Sequence, residues 1–135
     1  TSTQFEQYKL GIPEIDNDYW LMFKTVEKVL LEVDNKDYRS INSSLDYLMQ
    51  EFTKHINDEI QLMRKMNFPF IETHIVEHSL LLHALEKEIV NAKLGDYSNL
   101  NADIDQLLIN HIEQYDRLYA DYARLMHKSY LLEEI

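Results

Sequence analysis

The chain has 135 residues, 45% apolar and 27% charged, which suits one globular domain with its own core and argues against disorder. It has no cysteine, which excludes disulfides, zinc fingers, thiolate iron–sulfur clusters and cysteine nucleophiles, and its two glycines, Gly11 and Gly95, cannot build a GxGxxG or Walker loop. A formal charge of −11 and a pI near 4.8 would repel a phosphate backbone, so nucleic acid is not an expected partner.

No apolar run approaches the roughly 20 residues a membrane span needs, and the N-terminus lacks the basic-then-apolar layout of a signal peptide. The expectation is a cytoplasmic chain without a membrane partner. It begins at Thr1 rather than Met, which leads us to expect a processed chain or a piece of a longer one, with a fused or associated signalling domain.

Residues 1–16 read as an N-terminal arm carrying Gly11 and Pro13. Apolar positions then recur at helical spacing. Tyr19, Phe23, Val26, Leu30 and Val33 form a first stripe, ended by the polar turn Asp34-Asn35-Lys36-Asp37. A second runs Ile41, Leu45, Leu48, Phe52, His55, Glu59, Leu62, Met66 and stops at Asn67-Phe68-Pro69, where Pro69 is expected in the first turn of the next helix. A third runs Ile71, His74, His78, Leu81, Leu85, Ile89, Ala92, with Gly95 as a C-terminal stop. The fourth runs Ile104, Leu107, His111, Tyr115, Leu118, Tyr122, Leu125. Few glycines and prolines, and short connections, predict an all-α, antiparallel, up-down-up-down four-helix bundle over 17–127, followed by a tail at 128–135 in which Leu131-Leu132 packs on the bundle or forms a short turn.

The chemistry lies on these stripes. His55, Glu59, His74, His78 and His111 all occupy inward positions, whereas His83 and His127 fall outside them and read as surface residues. Burying imidazoles and a carboxylate is costly unless each is paired or bound to a metal. Counting from each turn, Tyr19, His55, Glu59, His74, His78, His111 and Asp116 converge on one level of an antiparallel bundle, within about a helical turn at ~1.5 Å per residue. His55/Glu59 and His74/His78 are i, i+4 pairs, one turn apart on one face. His111 and Asp116 are i, i+5, splayed by about 140° on an ideal helix, which suits straddling two ions better than binding one together.

A single inward histidine, or one HxxxH pair, is usually a satisfied core feature; four inward histidines with two carboxylates at one level point to metal. Imidazole and carboxylate without thiolate suit iron, manganese or zinc. Six side chains exceed what one ion takes while keeping an open position, so two ions bridged by Glu59 and Asp116 fit better, and nitrogen-rich ligation favours iron over magnesium or calcium. Neither Glu-x-x-His, the mark of ferritin-like di-metal proteins, nor His-Glu-x-x-His, the mark of zincin proteases, occurs.

From about Phe5 to Tyr122 the chain resembles the bacterial hemerythrin-like family. Gly11-Ile12-Pro13-Glu14-Ile15-Asp16 resembles the lead-in to that family's first helix; His55-x-x-x-Glu59, Met63, Phe68-Pro69 and His74-x-x-x-His78 are similar to its central motif; His111-Ile112-x-x-x-Asp116 is similar to its last. The resemblance implies two non-haem iron ions joined by a bridging oxo or hydroxo group. His74, His78 and His111 would bind one iron, His55 the other, and Glu59 and Asp116 would bridge them. In the family the second iron also takes a first-helix histidine and keeps a position open for O₂. Here that histidine is replaced by Tyr19. Three readings follow: Tyr19 ligates iron as a phenolate, Tyr19 stays off the metal and leaves water or a neighbouring carboxylate in its place, or the second iron is weak or absent. A plain core aromatic is the fourth. A phenolate would add a negative charge, stabilise the ferric state and favour oxidation over reversible carriage.

The implied function is binding or sensing of O₂ or redox state rather than catalysis. The alternatives are an O₂ carrier or store, a di-iron enzyme acting on peroxide or nitric oxide, and an iron-handling protein. The methionines Met63 and Met66 and the tyrosines of the fourth helix are expected to serve packing alone.

Overall fold

The computed structural model describes residues 2–126; the tail at 128–135 and His127 lie outside the described residues. The described chain is all-helical: a 3₁₀ helix (Ser2–Tyr8), α1 (Pro13–Asp34), α2 (Tyr38–Lys65), α3 (Ile71–Lys93), then α4 (Leu100–His111), a π turn (Ile112–Asp116) and α5 (Arg117–Leu125), which run on as the bundle's fourth helix. Neighbours in sequence pack side by side, and α4 closes the bundle against α1. Paired heights descend as expected for antiparallel neighbours: Asp18 meets Lys54 while Thr25 meets Glu51, and Leu10 meets Arg124 while Tyr19 meets Asp116.

The three tight connections use one device. Lys36, Asn67 and Gly95 each take a positive φ (55°, 54° and 101°) just past a helix end. The following amide reaches back five residues, Asp37 N to Glu32 O, Phe68 N to Met63 O and Asp96 N to Asn91 O, which satisfies carbonyls the helix leaves open. Gly95 is thus the stop its position suggests. Asp37 then caps α2 by accepting from Ser40 N at 3.3 Å. Pro69, expected in the first turn of α3, precedes it instead, because Phe70 is the N-cap.

The arm is shorter than expected. Pro13 opens α1, so Pro13–Asp16, read as arm, are helical; proline's fixed φ and missing N–H cost nothing there. Asp16 turns back and accepts Leu10 N and Gly11 N at 2.8 and 3.1 Å. Gly11 has φ +86°, and a Cβ on it would lie 3.1 Å from Arg124 Nη2, whose guanidinium holds Leu10 O. The arm is thereby strapped over the bundle end where α1 begins and α5 finishes.

Every inward position predicted in α2 is buried, as is the α3 stripe from His74 to Ala92. The fourth helix departs. Beyond His111 the predicted Tyr115, Leu118, Tyr122 and Leu125 are half-buried or exposed, and Asp116, Tyr119, Ala120 and Ala123 take the interior. The cause is the π turn: Arg117 N bonds Ile112 O, five residues back, which inserts one extra residue and shifts every later position by one.

Candidate metal centre

α1, α2, α3 and the fourth helix each send polar side chains to one level of the core. Tyr19, His55, Glu59, His74, His78, His111 and Asp116 are all buried there, so the structure brings together every residue singled out from the sequence. His83 is exposed.

Glu59 lies at the centre. Its Oε1 is 2.9 Å from His55 Nε2, 2.9 Å from His78 Nε2, 3.4 Å from His111 Nε2 and 3.8 Å from His74 Nε2. Asp116 Oδ1 lies 3.1 Å from His74 Nε2 and 2.9 Å from His111 Nε2. The rings of His74, His78 and His111 stand with centroids 4.5 to 5.1 Å apart. Two overlapping sets of donors result. Glu59, His74, His78 and His111 form one; His55, Glu59, His111 and Asp116 form the other; within each, the ligating atoms lie within 4.8 Å of one another.

The splay expected of His111 and Asp116 is absent. The π turn winds wider than an α turn, so residues five apart return to one face. That places the Asp116 carboxylate beside the His111 imidazole and within one donor set with it.

Tyr19 Oη donates to Asp116 Oδ2 and its ring lies 4.2 Å, centroid to centroid, from that of His55. Burial, then Asp116 and Glu59, push the Tyr19 phenol well above its ordinary value. Tyr119, read from the sequence as packing, is a second phenol of the site. Its Oη donates to Glu59 Oε2 at 2.7 Å, and burial followed by Glu59 and Asp116 likewise raises its pKa. Both carboxylates thus have one oxygen toward imidazoles and the other held by a tyrosine. Tyr119 was missed because the α-helical period, carried across the π turn, put Leu118 inward instead. Asp18 was also missed: its Oδ2 lies 3.5 Å from His55 Nδ1, and its Oδ1 3.0 Å from Lys54 Nζ.

The electrostatics of the metal-free chain show what a cation would replace. Burial alone would lower His55, but Glu59, with Asp18 and Asp116, carries it up to about 9. Burial also opposes His111, and Asp116 and Glu59 carry it to about 10. His78 goes the other way, lowered by burial and by His74 and His111. Glu59 is held well below the usual carboxylate range, His55 and the other rings outweighing burial. The raised imidazoles offset the carboxylates, yet the polar groups are not fully paired: His55 Nε2, His74 Nε2 and Asp116 Oδ1 are enclosed without a hydrogen bond of normal geometry. Unpaired ligating atoms gathered in a buried core fit metal binding: a cation would take the lone pair of His74 in one donor set and those of His55 and Asp116 in the other.

No protein-family model, no curated protein and no solved structure matches the chain. What fold and site define together is a class: an all-α four-helix bundle with a buried histidine–carboxylate cluster that could hold a metal ion. Among the described residues, no helix is long and apolar enough to cross a membrane.

Proposed function

We propose that this chain is a hemerythrin-like non-haem di-iron protein that binds or senses O₂ or redox state. The observation that carries the reading is the pair of overlapping donor sets that share Glu59 and His111. One set offers three imidazoles and a carboxylate. The other offers two imidazoles and two carboxylates. Two ions with a common carboxylate use all six side chains, while one ion would leave buried polar groups idle.

The bound iron pair would supply coordination of a small ligand and one-electron redox chemistry. The chain's own residues would set its limits. His74, His78 and His111 would hold one iron, His55 the other, with Glu59 and Asp116 between them. The asymmetry leaves the His55 side poorer in nitrogen, and that is the side on which O₂, another small diatomic or peroxide would enter. Tyr19 and Tyr119 hold the outer oxygens of Asp116 and Glu59, so the carboxylates keep their aim when the charge at the centre changes.

The test is iron loading under anaerobic conditions, followed by admission and removal of O₂ under a visible spectrometer. We expect about two iron ions per chain and a ferric absorption band on admitting O₂. A band that fades on degassing identifies an O₂ binder. One that yields only to reductant identifies a redox sensor, and steady turnover of peroxide or nitric oxide identifies an enzyme. Failure to retain iron overturns the proposal.

A further inference from the structure

The first helix faces the centre with two consecutive polar residues, Asp18 and Tyr19. Tyr19 acts on Asp116. Asp18 faces His55: its Oδ2 is 3.5 Å from His55 Nδ1, both residues are buried, and both atoms are enclosed without a hydrogen bond of normal geometry. His55 Nε2, on the ring's other side, points at Glu59. The ring thus sits between a carboxylate at the centre and one outside it. His78 Nδ1 and His111 Nδ1 are as enclosed, yet the ion pairs of these two rings run from Nε2 to the central carboxylates Glu59 and Asp116, whereas His55 also pairs through Nδ1 with a carboxylate outside the centre. Asp18 does not float. Lys54 Nζ holds its Oδ1 at 3.0 Å and is anchored to Asp58 at 2.6 Å.

Resting on the di-iron reading above, we propose that Asp18 is a positioning residue for His55. It accepts the Nδ1–H and so fixes the tautomer and ring angle that direct the Nε2 lone pair to the second metal, while Lys54 fixes Asp18. A carboxylate behind an imidazole raises its basicity as a ligand. The effect falls on the ion that has the fewest nitrogens, where the first helix contributes no histidine. That helix then serves the second metal from behind, by steering His55.

The test uses zinc as the probe, with nitrogen-15 histidine labelling. In the zinc-loaded wild type, His55 Nδ1–H should give a downfield resonance that exchanges slowly with water. Asp18→Ala should abolish the slow exchange and weaken one of the two zinc-binding steps by about 10- to 100-fold, the usual cost of losing such a partner, leaving the other step unchanged. Asp18→Asn keeps an acceptor oxygen and should keep the resonance with a smaller loss of affinity. Lys54→Met, at a side chain 63% exposed, should weaken the same step less than Asp18→Ala; it and Asp18→Asn decide the matter if the alanine variant does not fold. Two unchanged binding steps and an unchanged His55 resonance in these variants would overturn the inference. A wild type that takes up fewer than two zinc ions, and no more iron, is a different result: it counts against the di-metal reading itself.

Discussion

Tyr19 Oη donates a hydrogen bond to Asp116 Oδ2, joining α1 to the π turn across 97 positions of sequence in a site closed to solvent. On the di-iron reading proposed above, the phenol takes the place of a first-helix histidine, and in the structure it engages a carboxylate. Tyr19→Phe removes the donor and leaves a buried carboxylate oxygen one partner short. The metal-free chain should lose about 1–3 kcal/mol, read by urea denaturation. If Tyr19 acts through Asp116, the ferric wild type will lack a phenolate charge-transfer band. A strong visible band that Tyr19→Phe abolishes would make Tyr19 a ligand and this account wrong. Tyr19→His should change the spectrum and the O₂ reactivity, because it returns a nitrogen to the poorer side.

Tyr119 makes the matching bond to Glu59 Oε2. A hydrogen bond to an ionised group contributes about 1.5–3 kcal/mol, so Tyr119→Phe should destabilise the metal-free chain by that order. Because Glu59 belongs to both donor sets, the variant should weaken both metal-binding steps, whereas Asp18→Ala should weaken one. Calorimetric titration distinguishes the two patterns.

The π turn makes an unusual prediction about chain length. Removing Gln114, exposed within the turn, would leave an ordinary α-helix in which His111 and Asp116 become four apart and stay on one face. Such a deletion should fold and keep Asp116, Tyr119, Ala120 and Ala123 inward. Inserting one alanine after Gln114 would instead rotate Asp116 by about 100° and cost the donor set that includes it. Equal metal uptake by both variants would show that the register of this turn does not place Asp116.

The metal-free chain should also carry a pH signature. His55 and His111 have folded pKa values raised to about 9 and about 10 by the carboxylates that outweigh burial. A raised pKa means the folded state binds more protons than the unfolded one. The stabilisation is complete below the ordinary value near 6.5 and is lost as pH rises through 9 to 10. His78, lowered by burial and its two neighbouring rings, opposes this only toward acid. Thermal unfolding of the metal-free chain should therefore fall in midpoint from pH 7 to pH 10. Metal binding requires the same imidazoles deprotonated and should tighten over that interval. A flat profile in the metal-free chain would mean the cluster is not held by charge.

Much of this was legible in the amino-acid order, and the reason is periodicity. In α2 and α3 an unbroken α-helical repeat fixes which face turns inward, so His55, Glu59, His74 and His78 could be placed on the core from spacing alone, and antiparallel packing put them at one height. His111 and Tyr19 followed in the same way. The sequence by itself therefore determined the four-helix architecture, the inward faces of α2 and of α3 from His74 onward, and the gathering of seven polar side chains at one level, but not the inward face of the fourth helix beyond His111.

Tertiary structure decided what a fixed period cannot express. One extra residue in the π turn changes the phase of everything after it, and nothing in the composition of Ile112-Glu113-Gln114-Tyr115-Asp116 announces that. It brings Asp116 beside His111, turns Tyr119 onto Glu59 and sends Leu118 and Leu125 to the surface. The partner of each phenol and the approach of Asp18 to the far side of His55 are likewise contacts between helices. They depend on rotation and separation of packed rods, set by side-chain packing across the whole core, so only the folded chain could assign them.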